Sequence, residues 1–543
     1  MSLVSFTTFS GLAPRLSPYK LPQSNAQVAK NLCLSARTLK PWNDPLTVLS
    51  GVSAAPVTTI YRFGQDLISD SQYWFAWPVD VDVVKGAISG DATERTFFTH
   101  PTLGPRYTNN TLALTSGSGA YPWNSRPLGV PAPTATPTIT AGSGTEVPEA
   151  RVVVFTYVTD DGQEGPPSPP STAADVYPDG TCTYGNLGTT APAGYSHITA
   201  KRVYRTLSGS TNTDFQFVDE IPIAQASYTD TKTAVQLGGV IESLAYDPPP
   251  AGAFGITQMA NGITVVFDGY DIYPSEPFLP HAFPSESTLS TDYPIVAGKA
   301  FGNVAVIGTT GVPYLLFGSD PSALTLQKLQ DPQACVSKRS MCVVPGGVMY
   351  ASPDGLILVD ASGAVTNVLD QLMTRREWQA FVPSSIHGYV HDGRYIGFYN
   401  TGAATGGFIY DPREGDAAFT LIDLYATGGY TDLVQDALYL QVGTNIQRWD
   451  AGAGLMSYDW KSRVIEFPYP MMMAFGQVTA AGYPVTVKVY ADGTLLTTKT
   501  VSSKAPFALP AKRARTFEAE VTGTTEVMSM NFAQSVEELK AVA

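Results

Sequence analysis

The amino-acid sequence predicts an all-β protein with a β-propeller core, and three observations lead to that prediction. Charged residues make up only 15% of the 543 residues, against roughly 25% in an average globular protein, while glycine and proline number 49 and 42. Segments with helical spacing are few, and turn signals recur at steps of 41 to 46 residues in the second half of the chain. Such a sequence favours short strands joined by turns, and its length suggests about three to four domains.

The N-terminal segment, residues 1–126, is expected to contain the first strands of the propeller. Within it, Ser24–Leu39 begins with a capping residue, has apolar residues four apart and stops before a proline, which predicts a helix. Helices are also predicted at Asp370–Phe381 and Ala533–Val542. The remaining sequence is typical of strands and turns, and Thr58–Phe98 could supply one or two propeller blades.

A second predicted region consists of a linker and a small inserted domain. Residues 127–150 are rich in proline, threonine, glycine and serine, which is typical of a linker. Residues 151–237 then contain the predicted strands Arg151–Thr159 and Ile198–Thr206. Between them, Gly165–Ser171 carries prolines that an edge strand tolerates. Short strands at this spacing predict a small β-sandwich.

Residues 238–460 are predicted to form propeller blades, because one strand–turn–strand unit recurs along them. The turn signals fall at Asn261-Gly262, Gly302-Asn303, Gly346-Gly347, Asp392-Gly393 and Gln435-Asp436. A period of about 40 to 50 residues with up to four strands is typical of a propeller blade. The repeat stops after Trp460, and residues 461–543 are predicted to form a separate C-terminal β-sandwich.

The charge of the chain argues against tight binding of nucleic acid. The formal net charge is -14, whereas a high-affinity nucleic-acid binder normally carries a basic field. Local basic clusters occur at Lys338-Arg339, at Arg375-Arg376, and at Lys512-Arg513 with Arg515. We interpret them as solvated faces or as salt bridges between subunits, with loose contact to a DNA backbone as the functional alternative.

The four cysteines and the absence of export signals indicate a protein that folds in a cytoplasm. Cys33, Cys182, Cys335 and Cys342 form no CxxC pair and are expected to be buried, reduced thiols. Whether Cys335 and Cys342 pair stays open. The N-terminus lacks the basic region of a signal peptide, and no window of 18 uninterrupted apolar residues predicts a membrane span.

The sequence predicts no catalytic, cofactor-binding or metal-binding residues, and we expect the protein not to be an enzyme. His387 and His391 are four apart, but a strand–turn context rules out the helical geometry of a zinc site. Ser352–Gly355 resembles the start of a sialidase Asp-box but lacks its downstream aromatic residue. A hairpin turn is the preferred interpretation of that segment.

Several stretches resemble the tail nozzle proteins of short-tailed bacteriophages, which are also called tail tubular or DNA-stabilisation proteins. The matching stretches are Gly11–Arg15, Ala26–Leu39, Val153–Ser171, Asn261–Gly262, Ser275–Pro284, Gln333–Ser340 and Tyr350–Gly355. The last two are the strongest, and the matches extend from near the start of the chain to about Trp378.

The resemblance implies a structural protein of the virion tail, assembled in the host cytoplasm. It implies a homo-oligomer that forms a hexameric ring below the portal-adaptor ring, surrounds and closes the distal DNA channel, and docks tail fibres or spikes. Viral double-stranded DNA would pass through the ring without specific recognition. The resemblance also implies that the insert at residues 151–237 is a fibronectin-type sandwich, and it implies no catalytic residues.

Two alternatives from other functional classes remain open on the sequence alone. A tail-associated polysaccharide-degrading enzyme built on a propeller would need carboxylates that converge in one pocket. A receptor-binding adhesin would be expected to contain repetitive fibrous stretches and to form a trimer.

Overall fold

The computed structural model describes residues 3–53, 56–64, 69, 71–207, 214–415 and 418–540, and it confirms that the protein is nearly all β. Strands account for 45% of the chain and helices for 7%. The chain divides into two compact units, one of residues 1–79, 306–314 and 328–543 and the other of residues 80–305 and 315–327. In the described part of the chain, every helix is too short to cross a membrane. The predicted domain boundaries stay predictions.

The first unit contains three up-and-down sets of four antiparallel strands. One sheet consists of Cys342–Val344, Gly347–Ala351, Leu356–Asp360 and Val365–Asn367. A second set consists of His387–His391, Arg394–Asn400, Thr405–Tyr410 and Phe419–Ile422. The third sheet consists of Gly428–Asp432, Ala437–Val442, Asn445–Arg448 and, as its outermost strand, Leu46–Leu49. An early segment of the chain therefore completes a sheet built from residues about 400 positions later.

The second set continues into a ten-stranded sheet through the strand Ala26–Lys30. Lys30 lies beside Leu421 in a parallel bridge, and Ala29 pairs with Trp460 on the antiparallel side. Beyond Ala26–Lys30 the order is Tyr458–Ser462, Arg513–Gly523, Val485–Ala491 and Thr494–Val501, with Ile465–Met472 paired separately to Arg513–Gly523.

A smaller sheet packs against the C-terminal part of this sheet, and we call the two layers the terminal sandwich. The smaller sheet has the order Val4–Phe6, Val527–Ala533, Phe475–Ala480 and Phe507–Ala508. Alternate residues of Val485–Ala491 are buried, as expected where one face of a strand covers a core. Side chains of both layers, among them Phe6, Trp460 and Phe532, belong to one buried apolar cluster.

The second unit contains two four-stranded antiparallel sheets and the insert. The sheets are formed by Asp82–Lys85, Thr96–His100, Gly104–Thr108 and Arg126–Pro127, and by Gly255–Gln258, Thr264–Asp268, Asp271–Pro274 and Leu289–Ser290. A further four-stranded sheet, whose residues are divided between the two units, consists of Ile295–Phe301, Val304–Thr309, Tyr314–Phe317 and Thr325–Lys328.

The insert is a sandwich of two three-stranded sheets with a shared core. One sheet consists of Thr138–Ala141, Cys182–Gly185 and Tyr228–Asp230, and the other of Val153–Thr159, Ile198–Thr206 and Phe215–Pro222. Every residue of Val153–Thr159 is buried, because side chains cover both of its faces. The strand Thr138–Ala141 lies within the predicted linker and pairs with Cys182–Gly185.

The remaining elements are short. Two-stranded pairs join Leu32–Cys33 to Lys40–Pro41, Thr59–Arg62 to Trp74–Trp77, and Glu149–Arg151 to Ala174–Val176. The α-helices are Asn110–Leu114, Arg375–Gln379 and Val536–Lys540. The 3₁₀ turns are Ala234–Gln236, Ser243–Ala245, Ser285–Ser287, Pro321–Ala323, Lys338–Ser340 and Pro383–Ser385.

The predicted helix at Ser24–Leu39 is wrong, because this segment forms the strands Ala26–Lys30 and Leu32–Cys33. Asn31 separates the strands in a left-handed conformation, with φ 59°. Pairing with distant strands outweighs local helical preference here, and the small Ala26 and Ala29 are buried in the sheet.

The other two predicted helices form only in part. Of Asp370–Phe381, only Arg375–Gln379 is helical, and Thr374 with Glu377 forms a capping box at its start. Of Ala533–Val542, Val536–Lys540 is helical, whereas Ala533 ends a strand and positions 541 and 542 lie outside the described residues.

We expect Phe6→Ala to loosen the terminal sandwich selectively. Phe6 is 1% exposed and contacts Trp460 edge to face at 5.6 Å, and truncation of a buried phenylalanine costs about 3–5 kcal/mol. Hydrogen exchange of Phe475–Ala480 and Val527–Ala533 should accelerate accordingly. Tyr19→Ala, at a half-exposed position, is the control, and equal protection in both variants would contradict the prediction.

Candidate functional site

The two strongest stretches of the family resemblance lie against each other in the structure. We call residues Gln333–Cys342 the strap, and the hairpin Gly347–Asp360 packs on it. The Tyr350 hydroxyl donates to the carbonyl oxygen of Gln333 at 2.7 Å, and Ser352 Oγ donates to Gln333 Oε1 at 2.8 Å. Backbone N–H of Val336 donates to the carbonyl oxygen of Ala351 at 3.1 Å. Side chains and backbone therefore fix the strap in one register.

The fully buried Ser340 connects the strap to two strands. Its Oγ accepts the backbone N–H of Ala351 at 2.9 Å, and its carbonyl oxygen accepts the Tyr395 hydroxyl at 2.9 Å. Burial raises the pKa of Tyr395 well above its usual value, so the hydroxyl stays a donor. A serine at this point satisfies polar groups that would otherwise be unpaired in the core.

Arg339 connects the strap to three segments that are far apart in sequence. Its Nη2 atom donates to the carbonyl oxygens of Thr58 at 2.7 Å and Thr427 at 2.6 Å, and to the Tyr389 hydroxyl at 3.2 Å. Thr427 Oγ1 adds a bond to the carbonyl oxygen of Val57 at 2.6 Å. The sequence interpretation of Lys338-Arg339 as a solvated face or a subunit salt bridge is wrong for Arg339, which acts as an internal connector.

The strap also contains two cysteines, and both are free thiols, as are Cys33 and Cys182. The expectation of burial is wrong for Cys33 and Cys342, which are only partly buried. Cys335 is fully buried, and burial raises the pKa of its thiol to about 12. Cys342 Sγ donates to the carbonyl oxygen of Gly388 at 2.9 Å. Cys335 and Cys342 therefore lie in separate environments and do not form a disulfide.

The histidine pair lies on one strand, His387–His391, with the geometry that the sequence predicts. Residues four apart in a strand are roughly 13 Å apart, too far to share a metal ion. His387 stacks on Phe398 at 5.5 Å, and burial, with Arg339 nearby, lowers its pKa well below the usual value. Among the described residues, no group of three or more His, Cys, Asp or Glu side chains is placed to hold a metal.

The other motifs singled out from the sequence occupy turns and surfaces. Ser352–Gly355 forms the hairpin turn that was preferred to an Asp-box, with the Ser352 N–H donating to the carbonyl oxygen of Gly355 at 2.9 Å. Arg375 pairs with Asp354 at 3.2 Å in an exposed position. Lys512 Nζ donates to the carbonyl oxygen of Ala491 at 3.2 Å, whereas Arg513 and Arg515 are exposed.

Two further stretches of the resemblance meet in the second unit. The N–H of Phe278 donates to the carbonyl oxygen of Gly262 at 3.0 Å, and the Phe278 ring covers Gly262. Gly262 has a φ of 86°, and a Cβ there would lie 2.8 Å from ring carbons, so only glycine fits. His281 of the same stretch is buried, and burial lowers its pKa to about 4.

Sequence reasoning missed the buried charges of the insert. Lys201 is fully buried, and its Nζ donates to the carbonyl oxygens of Leu187 at 3.0 Å, Gly188 at 2.6 Å and Gln225 at 2.6 Å. Arg205 pairs with the fully buried Asp230 at 2.9 Å. The charged residues within the apolar strand Ile198–Thr206 could have indicated these buried charges. A buried strand contains a charged side chain only where hydrogen-bond or ion-pair partners surround it.

The hydrogen bonds of the strap hold separate segments of the chain together. In the strap, polar groups of Gln333, Arg339 and Ser340 bond to other parts of the chain. The sequence prediction of no catalytic residues is not tested by this geometry and stays a prediction.

No protein-family model and no curated protein matches the chain. Among solved structures, it is similar to dihydro-heme d1 dehydrogenase NirN in complex with DHE, at 11% identity over 66% of this chain and 73% of that one, with a TM-score of 0.25. It is also similar to apo AztD from Citrobacter koseri, at 13% identity over 68% and 100% of the chains and a TM-score of 0.26. The AfRom2 CNH domain has 8% identity over 70% and 98%, with a TM-score of 0.26. Such low TM-scores carry no argument about function.

We expect Arg339→Met to release the strap's three partners. The loss leaves two carbonyl oxygens and a hydroxyl without their donor, and an unsatisfied group costs about 1–3 kcal/mol. Hydrogen exchange of Gly428–Asp432 should therefore accelerate at least tenfold. Arg339→Lys should lose nearly as much protection, because all three bonds are made by the terminal Nη2 atom and the lysine side chain is one bond shorter. Unchanged exchange relative to the exposed-site control Arg376→Met would contradict the role of Arg339.

We expect the second unit to lose stability in mild acid through His281. The folded pKa of about 4 lies below the unfolded value of 6.5, so the unfolded chain binds the proton more readily. The contribution is fully present above pH 6.5 and is lost as the pH falls toward 4, by about 3 kcal/mol. Exchange of Gly255–Pro274, corrected for intrinsic rates, should show this slope. His281→Gln should flatten it, and identical slopes in both proteins would refute the assignment.

Proposed function

We propose that the protein is a structural component of a short-tailed phage tail, the nozzle ring that forms and closes the distal DNA channel. The observation that carries the proposal is the strap. The strongest stretches of the resemblance, Gln333–Ser340 and Tyr350–Gly355, meet there in one hydrogen-bonded assembly. Residues that hold distant segments together suit a part under mechanical load better than a pocket for a substrate.

We further propose that the consecutive four-stranded sheets are propeller blades. Their antiparallel, sequential strand order is what the repeat in residues 238–460 predicts, and it supports the proposal. Leu46–Leu49 supports it as well, because a ring of blades needs a contact that holds its ends together. A blade built from early and late segments of the chain supplies such a contact. The insert would be a fibronectin-type appendage on this core.

The partners proposed are those that the resemblance implies. Six copies would form the ring, with a portal-adaptor ring protein on one side and tail fibres or spikes docked to it. Viral duplex DNA would pass through without specific contacts, and the net charge of -14 supports passage over tight binding. The ring would assemble in the host cytoplasm and become part of the virion tail. We propose no enzymatic activity.

Electron microscopy of the purified full chain, alone and with tail proteins of the same phage, tests the proposal. We expect six-fold rings that bind the adaptor ring. Three-fold particles would favour the adhesin alternative. A chain that stays monomeric with its tail partners present would contradict the proposal. Release of glycan from host polysaccharide by the purified protein would instead favour the enzyme alternative.

A further inference from the structure

A hairpin turn of the first unit presents bare aliphatic side chains to solvent. Between Gly428–Asp432 and Ala437–Val442, the turn Leu433–Asp436, which we call the tip, exposes 90% of Leu433 and 60% of Val434. Turns usually carry glycine, asparagine or aspartate at such positions. Two large apolar residues at the end of a hairpin therefore suggest a contact that the isolated chain does not contain.

The tip is held rigid from below by a buried ion pair. Arg62 pairs with Asp432 at 2.8 Å, with the two side chains 5% and 8% exposed. The other oxygen of Asp432 accepts the backbone N–H groups of Val434 at 2.9 Å and Gln435 at 3.1 Å. A preorganised apolar group loses little conformational entropy when a partner covers it. The tip thus has the properties of an interface anchor.

The terminal sandwich carries a surface of complementary character. In the register between Ile465–Met472 and Arg513–Gly523, Glu466 pairs with Thr516 and Met471 with Ala514. The four residues Phe467–Pro470 consequently arch out opposite Arg515 alone, and Tyr469 is 64% exposed. We call Phe467–Pro470 with Arg513 and Arg515 the basic arch.

The guanidinium groups of Arg513 and Arg515 are exposed, and the nearby Asp492 carboxylate accepts the backbone N–H of Arg515 at 2.9 Å. In the described parts of the chain, neither Arg513 nor Arg515 forms an ion pair. Residues 461–543 contain nine Lys and Arg against seven Asp and Glu, whereas residues 1–460 contain 24 against 40. Residues 461–543 therefore have a net charge of +2, whereas residues 1–460 have a net charge of -16. Exposed tyrosine and arginine side chains are the types enriched at the energetic centres of protein interfaces.

We propose that the tip of one copy docks on the basic arch of the next copy. Leu433 and Val434 would pack against Tyr469 and the prolines beside it, and the exposed Asp436 would face Arg513 and Arg515. This contact joins two different surfaces, and repeated head-to-tail it generates a ring where the rotation closes. The inference rests on the proposed ring and names the interface that forms it.

Native mass spectrometry of the full chain tests the contact. We expect Leu433→Ser with Val434→Ser, and separately Arg513→Glu with Arg515→Glu, to weaken self-association at least tenfold while circular dichroism stays unchanged. Matched controls are Val147→Ser, at another highly exposed aliphatic residue, and Lys499→Glu with Lys504→Glu, which reverse two exposed charges of the same sandwich. The controls should assemble like the wild type.

Mixing the two defective variants distinguishes a head-to-tail contact from a symmetric one. Each tip variant retains an intact basic arch, and each arch variant retains an intact tip. Their mixture should therefore give a mixed dimer of one tip variant and one arch variant, and nothing larger. A contact between like surfaces would give no such dimer, and that result would overturn the proposal.

The remaining outcomes separate this inference from the proposed function. If both variants form the same rings as the wild type, the proposed contact is wrong, and the nozzle proposal is unaffected. A wild type that never assembles, even with its tail partners, would overturn both. Loss of duplex DNA binding in the arch variant, measured by fluorescence anisotropy at several salt concentrations and without a change in assembly, would also overturn the contact and assign the basic arch to nucleic acid.

Discussion

The first unit depends on one long-range pairing, the insertion of Ala26–Lys30 between strands that follow it by about 400 residues. Without this strand, Phe419–Ile422 and Tyr458–Ser462 would each present an unpaired edge, and the ten-stranded sheet would fall into two pieces. In the second layer of the terminal sandwich, Val4–Phe6 forms the edge strand by pairing with Met530–Phe532. Phe6 and Phe9 pack edge to face against the ring of Trp460, so this core includes side chains from the N-terminal segment.

The sequence predicted the fold class more reliably than it predicted the individual helices and strands. Composition predicted the strand-rich chain because many Gly, Pro, Thr and Val residues are poor helix formers wherever they lie. The segment Ser24–Leu39 was misassigned because capping and apolar spacing are local signals, whereas its strands are chosen by Trp460 and its neighbours hundreds of residues away. The repeat in residues 238–460 was visible because each turn falls between two paired strands, but the contribution of Leu46–Leu49 was not.

The candidate site was predicted only as a set of resembling stretches. Gln333–Ser340 and Tyr350–Gly355 were identified, yet nothing local to Arg339 indicates that its guanidinium reaches Thr58 and Thr427. The same limit applies to Lys201 and to the Arg62–Asp432 pair, whose partners lie in other segments of the chain. Charged residues within an apolar strand indicate a buried charge, but the carbonyl or carboxylate groups that pair with it can be located only in the tertiary structure.

The pairing of Val4–Phe6 with Met530–Phe532 also sets the order of events during synthesis. A ribosome that adds about 5–20 residues per second needs roughly half a minute to two minutes between making these two strands. Throughout that interval the N-terminal strand has no partner, and its apolar side chains stay exposed to solvent unless a chaperone covers them. A prematurely terminated chain would therefore keep exposed strand edges, which marks it for degradation before it reaches an assembly.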